Sequence, residues 1–375
     1  MLKIDKIIPQ VKEIVEKKSS EINKKTNVID FIINKLKEIK PDNFKNVTYQ
    51  NTLSLFGTPI EEPSKTFNVK KEISTYIAVA ADGSEIPIDE DFLFPYYIIN
   101  IGFIVLQYGK NHLFSGDSNA KIYFEEEDLY EKTGDKNMLI RGELLSSKML
   151  LEESKKLEEL LLSFPITTIP ILALFDGTLI QWEIKEMGED YKKNFIESFQ
   201  RMLLIAEQLN APIIGYISGT RSRDIIEMVR IFLGMKDEAF DEKLLSITKD
   251  SDIFEALLRT GERSAVFKSN APILNFYNSP IYFFFLNVGS EVVRIEIPEF
   301  VAKNGDLLET TCALIISQSD KGKGYPVALK EAHEQAVIKN SEKKFIEELF
   351  IESLGKKGIK FNQNYKLLSK EIRSI

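Results

Sequence analysis

Two short segments far apart in the chain end an apolar run in the same way, and this repetition limits the possible folds more than any other feature. Ile171-Leu172-Ala173-Leu174-Phe175 follows Pro170 and leads into Asp176-Gly177-Thr178, while Tyr76-Ile77-Ala78-Val79-Ala80-Ala81 leads into Asp82-Gly83-Ser84. A short apolar run bounded by turn residues reads as a strand buried on both faces, the pattern of a sheet covered by helices on each side. Each aspartate is then expected where the backbone leaves the sheet. Two such carboxylates facing each other, each followed by a glycine that lets backbone come close, make a site for a hard divalent cation. Asp-Gly is also a common turn dipeptide, so a plain turn is the competing reading.

Two enzyme classes that use similar strand ends are set aside. In the phosphatase and dehalogenase motif a nucleophilic aspartate stands two residues before a second one, and that position here is Leu174. Phosphotransferases of the actin and sugar-kinase group place a glycine two residues after the aspartate, whereas Gly177 follows Asp176 directly.

With 375 residues, 43% apolar and 28% charged, the chain can bury one large core or two modest ones. The single cysteine, Cys312, excludes a disulfide framework and any multi-cysteine metal centre, and fits a reducing cytoplasm, the expected location. Its apolar neighbours mark it as a buried structural thiol. The N-terminal residues carry charge in every helical turn, unlike a signal peptide, and no apolar run reaches membrane-spanning length. A net charge of −8 argues on its face against a polyanionic partner, but local field matters more than the sum.

Apolar residues at helical spacing from Lys3 to Ile39, with a polar break near Ser19 to Thr26, predict two amphipathic helices that pack on their own domain or dock a partner. Residues 42–70 read as an irregular linker. Residues 96–108 predict one or two strands, and 120–124 another. An Asp-bearing strand followed by a meander is the expected opening of a ribonuclease H-like mixed sheet flanked by helices. Residues 141–162 predict a long helix whose acids, Glu143, Glu152, Glu153, Glu158 and Glu159, are solvated by default, although one of them could point back at the aspartates. A helix over 191–209 is followed by a strand over 212–218 and by Gly219-Thr220-Arg221-Ser222-Arg223. That loop suits a phosphate through backbone N–H groups, hydroxyls and guanidiniums, or simply opens the next helix. A hairpin spans 282–288 and 291–297, and residues 313–317 read as a strand. After the basic loop Asp320-Lys321-Gly322-Lys323-Gly324, Tyr325-Pro326 opens a helix carrying His333. The expected division is a helical arm and linker over 1–70, an α/β domain over 71–340, and a helical tail over 341–375.

With these residues in place, the chain resembles the NurA nuclease family from about Tyr76 to Ile338. The resemblance rests on Ala81-Asp82-Gly83-Ser84, on Leu174-Phe175-Asp176-Gly177-Thr178-Leu179, on the Gly215 strand with its Thr/Arg/Ser loop, on Gly261-Glu262-Arg263-Ser264, and on Gly324-Tyr325-Pro326 followed by Ala332-His333. No single motif is specific, but their order and the Tyr-to-His spacing are distinctive. The resemblance implies a ribonuclease H-like core and a Mn²⁺ (or Mg²⁺) dependent deoxyribonuclease. It further implies action on DNA ends with 5′-to-3′ polarity in double-strand-break repair, a homodimer, and a HerA-type hexameric ATPase as partner. Asp82 and Asp176 match the family's metal-binding aspartates, and Tyr325 and His333 match its C-terminal Tyr and His, His333 being expected either to bind a second metal ion or to protonate the leaving oxygen. The family's helical glutamate has several matches here, of which Glu152 is favoured and Glu143 comes next. Arg221, Arg223, Arg263, Lys321 and Lys323 are expected to line a positive channel for DNA. The alternative expectation is a catalytically inactive subunit that guides DNA for a hexameric ATPase.

Overall fold

The computed structural model describes residues 3–110, 112–133, 136–165, 167–182, 184, 187–234, 247–277 and 279–359. Its centre is a mixed sheet in which the two Asp-bearing segments are neighbours. From one edge the order is β1 (Gly57–Pro59), β11 (Phe267–Ser269), β12 (Ile281–Asn287), β13 (Val292–Pro298), β9 (Ile213–Ile217), β8 (Ile171–Asp176), β3 (Tyr76–Ile86), β4 (Tyr97–Tyr108) and β5 (Leu113–Tyr123). Off this path, β10 (Glu262–Ser264) pairs with β12 and with β2 (Thr66–Asn68), while β6 (Tyr130–Thr133) and β7 (Lys136–Leu139) form a separate hairpin. The strands β3, β8 and β9 are parallel to one another; the remaining neighbours pair antiparallel.

Helices cover both faces, which is why the central strands are continuous apolar runs rather than alternating ones. Ile77, Val79, Ala81, Ala173 and Phe175 pack against α2 (Glu143–Leu162) and α3 (Glu189–Gln208). Their alternates Ala78, Ala80, Leu172 and Leu174 pack with residues of α6 (Gly305–Lys321) and α7 (Val327–Ala336). Beyond β9, a third cluster joins Phe283 and Phe285 to α4 (Asp224–Phe232), α5 (Asp250–Leu257) and the end of α1 (Ile4–Leu36). The last helix, α8 (Asn340–Lys356), brings Phe350 against Phe92, Phe94 and Tyr96. The remainder of the expected tail, 360–375, lies outside the described residues. No described helix is long and apolar enough to cross a membrane.

Several expectations change. The polar stretch 19–26 contains no glycine or proline, so it does not break the helix, and α1 is one element instead of two. Its C-terminal part is buried through Ile32 and Leu36, whereas Ile4, Ile8, Val11 and Val15 are exposed. Residues 42–70 are not merely a linker, because β1 and β2 extend the sheet by pairing with β11 and β10. The stretch 313–317 is helical, inside α6. Asn304 caps that helix by accepting the Leu307 N–H at 3.1 Å, and burial of Cys312, Leu314 and Ile315 makes its sequence as apolar as a strand. Periodicity alone does not separate the two for a short apolar run. Cys312 is fully buried, and burial pushes its thiol up to about 12, as suits a structural residue.

One contact fixes where α7 sits. A Cβ on Gly102 of β4 would lie 2.3 Å from the Ala336 nitrogen and 2.5 Å from the Ala332 carbonyl oxygen, so this helix rests directly on strand backbone. The Ser84 hydroxyl and the Asn100 amide (2.8 Å) both donate to the Ala336 carbonyl at the end of α7. These contacts hold the helix across the strand that carries Asp82.

Candidate active site

Strand register brings the two aspartates together. Parallel pairing of β3 with β8 runs from Ile77 opposite Ile171 to Ala81 opposite Phe175. Asp82 and Asp176 are the next residue on each strand, so both point to the face covered by α7. At Asp176 the backbone does leave the sheet, and Gly177 takes a φ of +102°, which costs glycine little. At Asp82 it does not. Here β3 continues to Ile86 paired with β4, so Asp82-Gly83 is neither a strand end nor a turn. The glycine serves close approach instead. A Cβ on Gly83 would lie 2.4 Å from Met149 Cγ and 2.6 Å from Glu153 Oε1, both on α2.

Two residues near the C-terminus hold the aspartates. His333 donates its Nδ1–H to Asp82 Oδ2 at 2.7 Å; an ionised carboxylate only accepts, so Nε2 remains on the open side of a side chain that is 60% exposed. Tyr325 donates its hydroxyl to Asp176 Oδ1 at 2.8 Å, and its ring stands edge-on to Tyr216 with centroids 5.2 Å apart. Burial raises the Asp176 pKa and the Asp82 charge pushes the same way, while the Tyr325 hydrogen bond and His333 oppose the rise. Burial, and then the Asp176 charge, push the Tyr325 phenol above the ordinary tyrosine range.

The glutamate beside this pair is Glu153, not Glu152 or Glu143. Glu153 is buried, its carboxyl accepts from the Gly83 backbone, and burial followed by the charges of Asp82 and Asp176 raises its pKa well above the usual range. Glu152, one position round the helix, turns instead to an ion pair with Lys155 at 2.7 Å. Glu143 is exposed in the first turn of α2, ten residues and so about 15 Å along the helix from Glu153. A sequence signal for Glu153 existed. Leu145, Met149, Glu153, Leu157 and Leu161 recur every four residues, and an acid inside that buried stripe is the anomaly to notice.

The expected basic residues divide. Arg221 and Arg223 line a cleft of about 670 Å³ at the carboxyl ends of β8 and β9, together with Thr178, Trp182 and Arg230. Arg263 does not face it, because its guanidinium is held by Glu61 at 2.8 and 3.1 Å and stacks over Phe67. Lys321 donates to Ser317 at 2.7 Å and lies over the Tyr76 and Tyr108 rings. Tyr76 is six residues up β3 from Asp82, about 20 Å of strand. Lys323 is exposed on the turn before Tyr325.

Part of the backbone of the 219–223 loop is already committed. Glu291 accepts from Gly219 N–H at 3.1 Å, Thr220 Oγ1 from Ser222 N–H at 3.2 Å, and the buried Asp250 from both Ile225 and Ile226 N–H at the start of α4. Burial, reinforced by the Asp224 charge, pushes the Asp250 carboxyl up to about 7, against the Ile225 and Ile226 hydrogen bonds. A folded-state pKa above the unfolded one gives stability that is full below the ordinary aspartate range and is lost as pH rises through neutrality. The melting temperature of the wild type is therefore expected to fall between pH 5 and pH 8 by more than that of Asp250→Asn; equal slopes in thermal melts of the two proteins would remove Asp250 as the cause.

The sequence matches the NurA domain over residues 76–338. Among solved structures, the NurA nuclease from Sulfolobus solfataricus is similar with a TM-score of 0.51 at 16% identity, covering 97% of this chain and 100% of that one. A second NurA structure gives a TM-score of 0.44 at 11% identity, covering 93% and 97%, and a NurA structure with manganese gives 0.40 at 10%, covering 88% and 97%. No curated protein matches the chain. The first of these structures shares the mixed α/β fold.

Proposed function

The chain belongs to the NurA family, and from that premise we propose that it is a divalent-metal-dependent deoxyribonuclease whose chemistry is carried by Asp82, Asp176 and Glu153. The observation that carries the proposal is that Asp82 and Asp176 stand side by side where β8 ends beside β3, with the buried Glu153 of α2 near enough for their charges to act on it. Their fit to a hard cation can be judged from the side chains themselves. All three offer oxygen donors, Glu153 is buried facing two other acids, and among the described residues no lysine or arginine pairs with any of them. Among the described residues no three His, Cys, Asp or Glu groups stand at metal-ligand spacing. Mn²⁺ or Mg²⁺ would be held there by Asp82, Asp176 and Glu153; a NurA relative has been solved with manganese. When bound, such a cation supplies Lewis-acid polarisation of the scissile phosphate.

The chain's own residues orient the carboxylates and move the proton. Tyr325 occupies Asp176 Oδ1 and leaves Oδ2 free, and Asp82 aligns the His333 ring. Water adds to phosphorus and releases a proton to solvent, the bond from phosphorus to the leaving oxygen breaks, and His333, with both ring nitrogens protonated, is positioned to give that oxygen the Nε2 proton. Tyr325→Phe is expected to slow cleavage by about 10- to 100-fold, as for other groups that orient a ligating carboxylate, with little change in KM. A rate within twofold of wild type in steady-state kinetics would reduce Tyr325 to a packing role.

Finer parts of the proposal follow from the family. They are a ribonuclease H-like core, 5′-to-3′ degradation of DNA ends in double-strand-break repair, a homodimer, a HerA-type hexameric ATPase partner and a cytoplasmic location. The Asp-bearing β3, its meander into β4 and β5, and the crossover to a second Asp-bearing parallel strand support the first of these. The exposed apolar residues of α1 support a docking arm. Retention of the carboxylates with His333 and Tyr325 weighs against an inactive guiding subunit.

The test is incubation of end-labelled single- and double-stranded DNA with the protein in Mn²⁺, Mg²⁺ or EDTA. Degradation that depends on the metal supports the nuclease, and the label pattern gives polarity. Intact DNA in both metals, from protein that binds it, would point to the guiding subunit instead.

A further inference from the structure

The cleft beside the carboxylates carries a feature that the hydrolytic chemistry does not use. Trp182 is the only tryptophan in the chain and it lines this cleft 41% exposed, an unusual setting for so large an apolar ring. Arg221 is exposed on the same cleft and makes no ion pair among the described residues. Arg223 is only loosely paired, 4.0 Å from Glu227, and its buried Nε has no hydrogen-bond partner. Arg294, in contrast, is buried and saturated by Asp224 and Glu296. The Gly219 and Ser222 N–H groups of the loop are also occupied, which leaves Arg221 and Arg223 as the loosely paired charges available to an anion here.

The cleft and the aspartates lie on opposite faces of the sheet and meet at its carboxyl-terminal edge. Thr178, on the cleft wall, is two residues beyond Asp176, at most about 7 Å of chain. A flat ring beside unpaired guanidiniums is the combination that holds a single strand without reading its sequence, the base stacked on the aromatic and the phosphate on the arginine.

We propose that Trp182 and Arg221 form a subsite for single-stranded DNA, in which a base stacks on the indole, Arg221 and Arg223 hold the adjoining phosphates, and the strand crosses the sheet edge to Asp176. The inference rests on the nuclease reading and deepens it. Both residues act as positioning residues, since neither touches the reacting atoms.

Because Trp182 is the sole indole, its fluorescence reports on this subsite alone. Full-length protein titrated with a short oligo(dT) in EDTA should show saturable quenching that tracks binding measured by anisotropy of the same oligonucleotide carrying a dye. Trp182→Ala should weaken binding roughly tenfold and Trp182→Phe should largely restore it. Arg221→Ala should lower the slope of log affinity against log salt by about 0.7. In Mn²⁺ the Trp182→Ala variant should raise KM for single-stranded DNA while kcat is retained. Bound oligo(dT) that leaves indole emission unchanged, or a Trp182→Ala variant with wild-type KM, would overturn the subsite while cleavage by the wild type leaves the nuclease intact. Wild-type protein that neither binds oligo(dT) nor cleaves DNA in Mn²⁺ would remove the nuclease reading, and the subsite with it.

Discussion

Asp82→Asn and Asp176→Asn should each lower DNA cleavage in Mn²⁺ by about 10³-fold or more. Asparagine keeps the shape of aspartate and one acceptor oxygen, so Tyr325 and His333 retain neighbours of the same size, but the charge that attracts a divalent ion is gone. Loss of several kcal/mol of stabilisation at the scissile phosphate corresponds to that factor. The loss should not come from unfolding. Asp82 and Asp176 repel each other, and burial already disfavours an ionised Asp176, so a neutral amide at either position should leave thermal stability in EDTA unchanged or raised. Cleavage within tenfold of wild type, by a variant that melts normally, would remove that aspartate from the chemistry.

Glu153→Gln should separate catalysis from stability most sharply. Its carboxyl is buried, and the charges of Asp82 and Asp176 reach it, so ionisation is costly in the folded state and its pKa lies well above the unfolded value. A raised carboxyl pKa gives stability that is present below the ordinary glutamate range and is lost as pH rises through the folded value. The amide has no such loss. In EDTA, Glu153→Gln should therefore melt above wild type, by a margin that grows with pH, while Mn²⁺ should raise the melting temperature of the wild type and not of the variant. Cleavage should fall by at least about 10²-fold. Glu152→Gln, which removes only a partner of Lys155, and Glu143→Gln, at the exposed start of α2, should change neither cleavage nor the Mn²⁺-induced shift. If Glu152→Gln abolished cleavage and Glu153→Gln did not, the assignment would be reversed.

Much of the architecture was legible because it depends on local chemistry. The apolar runs before Asp82 and Asp176 announce strands buried on both faces, the hairpin across Gly289-Ser290 is written in its turn, and α3 follows from helical periodicity. Less legible were the stretches where burial on every side erases periodicity. The 313–317 segment reads as a strand by composition, yet it lies in α6 because Asn304 caps a helix that packs between neighbours. Similarly, a polar stretch with no helix breaker left α1 continuous.

For the candidate site, the sequence by itself determined which residue types could meet: two aspartates after apolar strands, and a Tyr and a His on the last part of the family match. Whether Glu152 or Glu153 joins them depends on the rotation of α2 about its own axis, while Glu143 lies too far along that axis. A one-residue step turns a side chain by about 100°, and that rotation is set by the packing of Leu145, Leu157 and Leu161 on β3 and β8 together with the room left by Gly83. The fate of each basic residue is equally non-local. Arg263 is lost to Glu61, more than two hundred positions away in sequence, whereas Arg221 has no acid folded against it among the described residues. A chain can encode its strands and helices over short windows, but a partner for a charge is chosen only when distant segments are brought together.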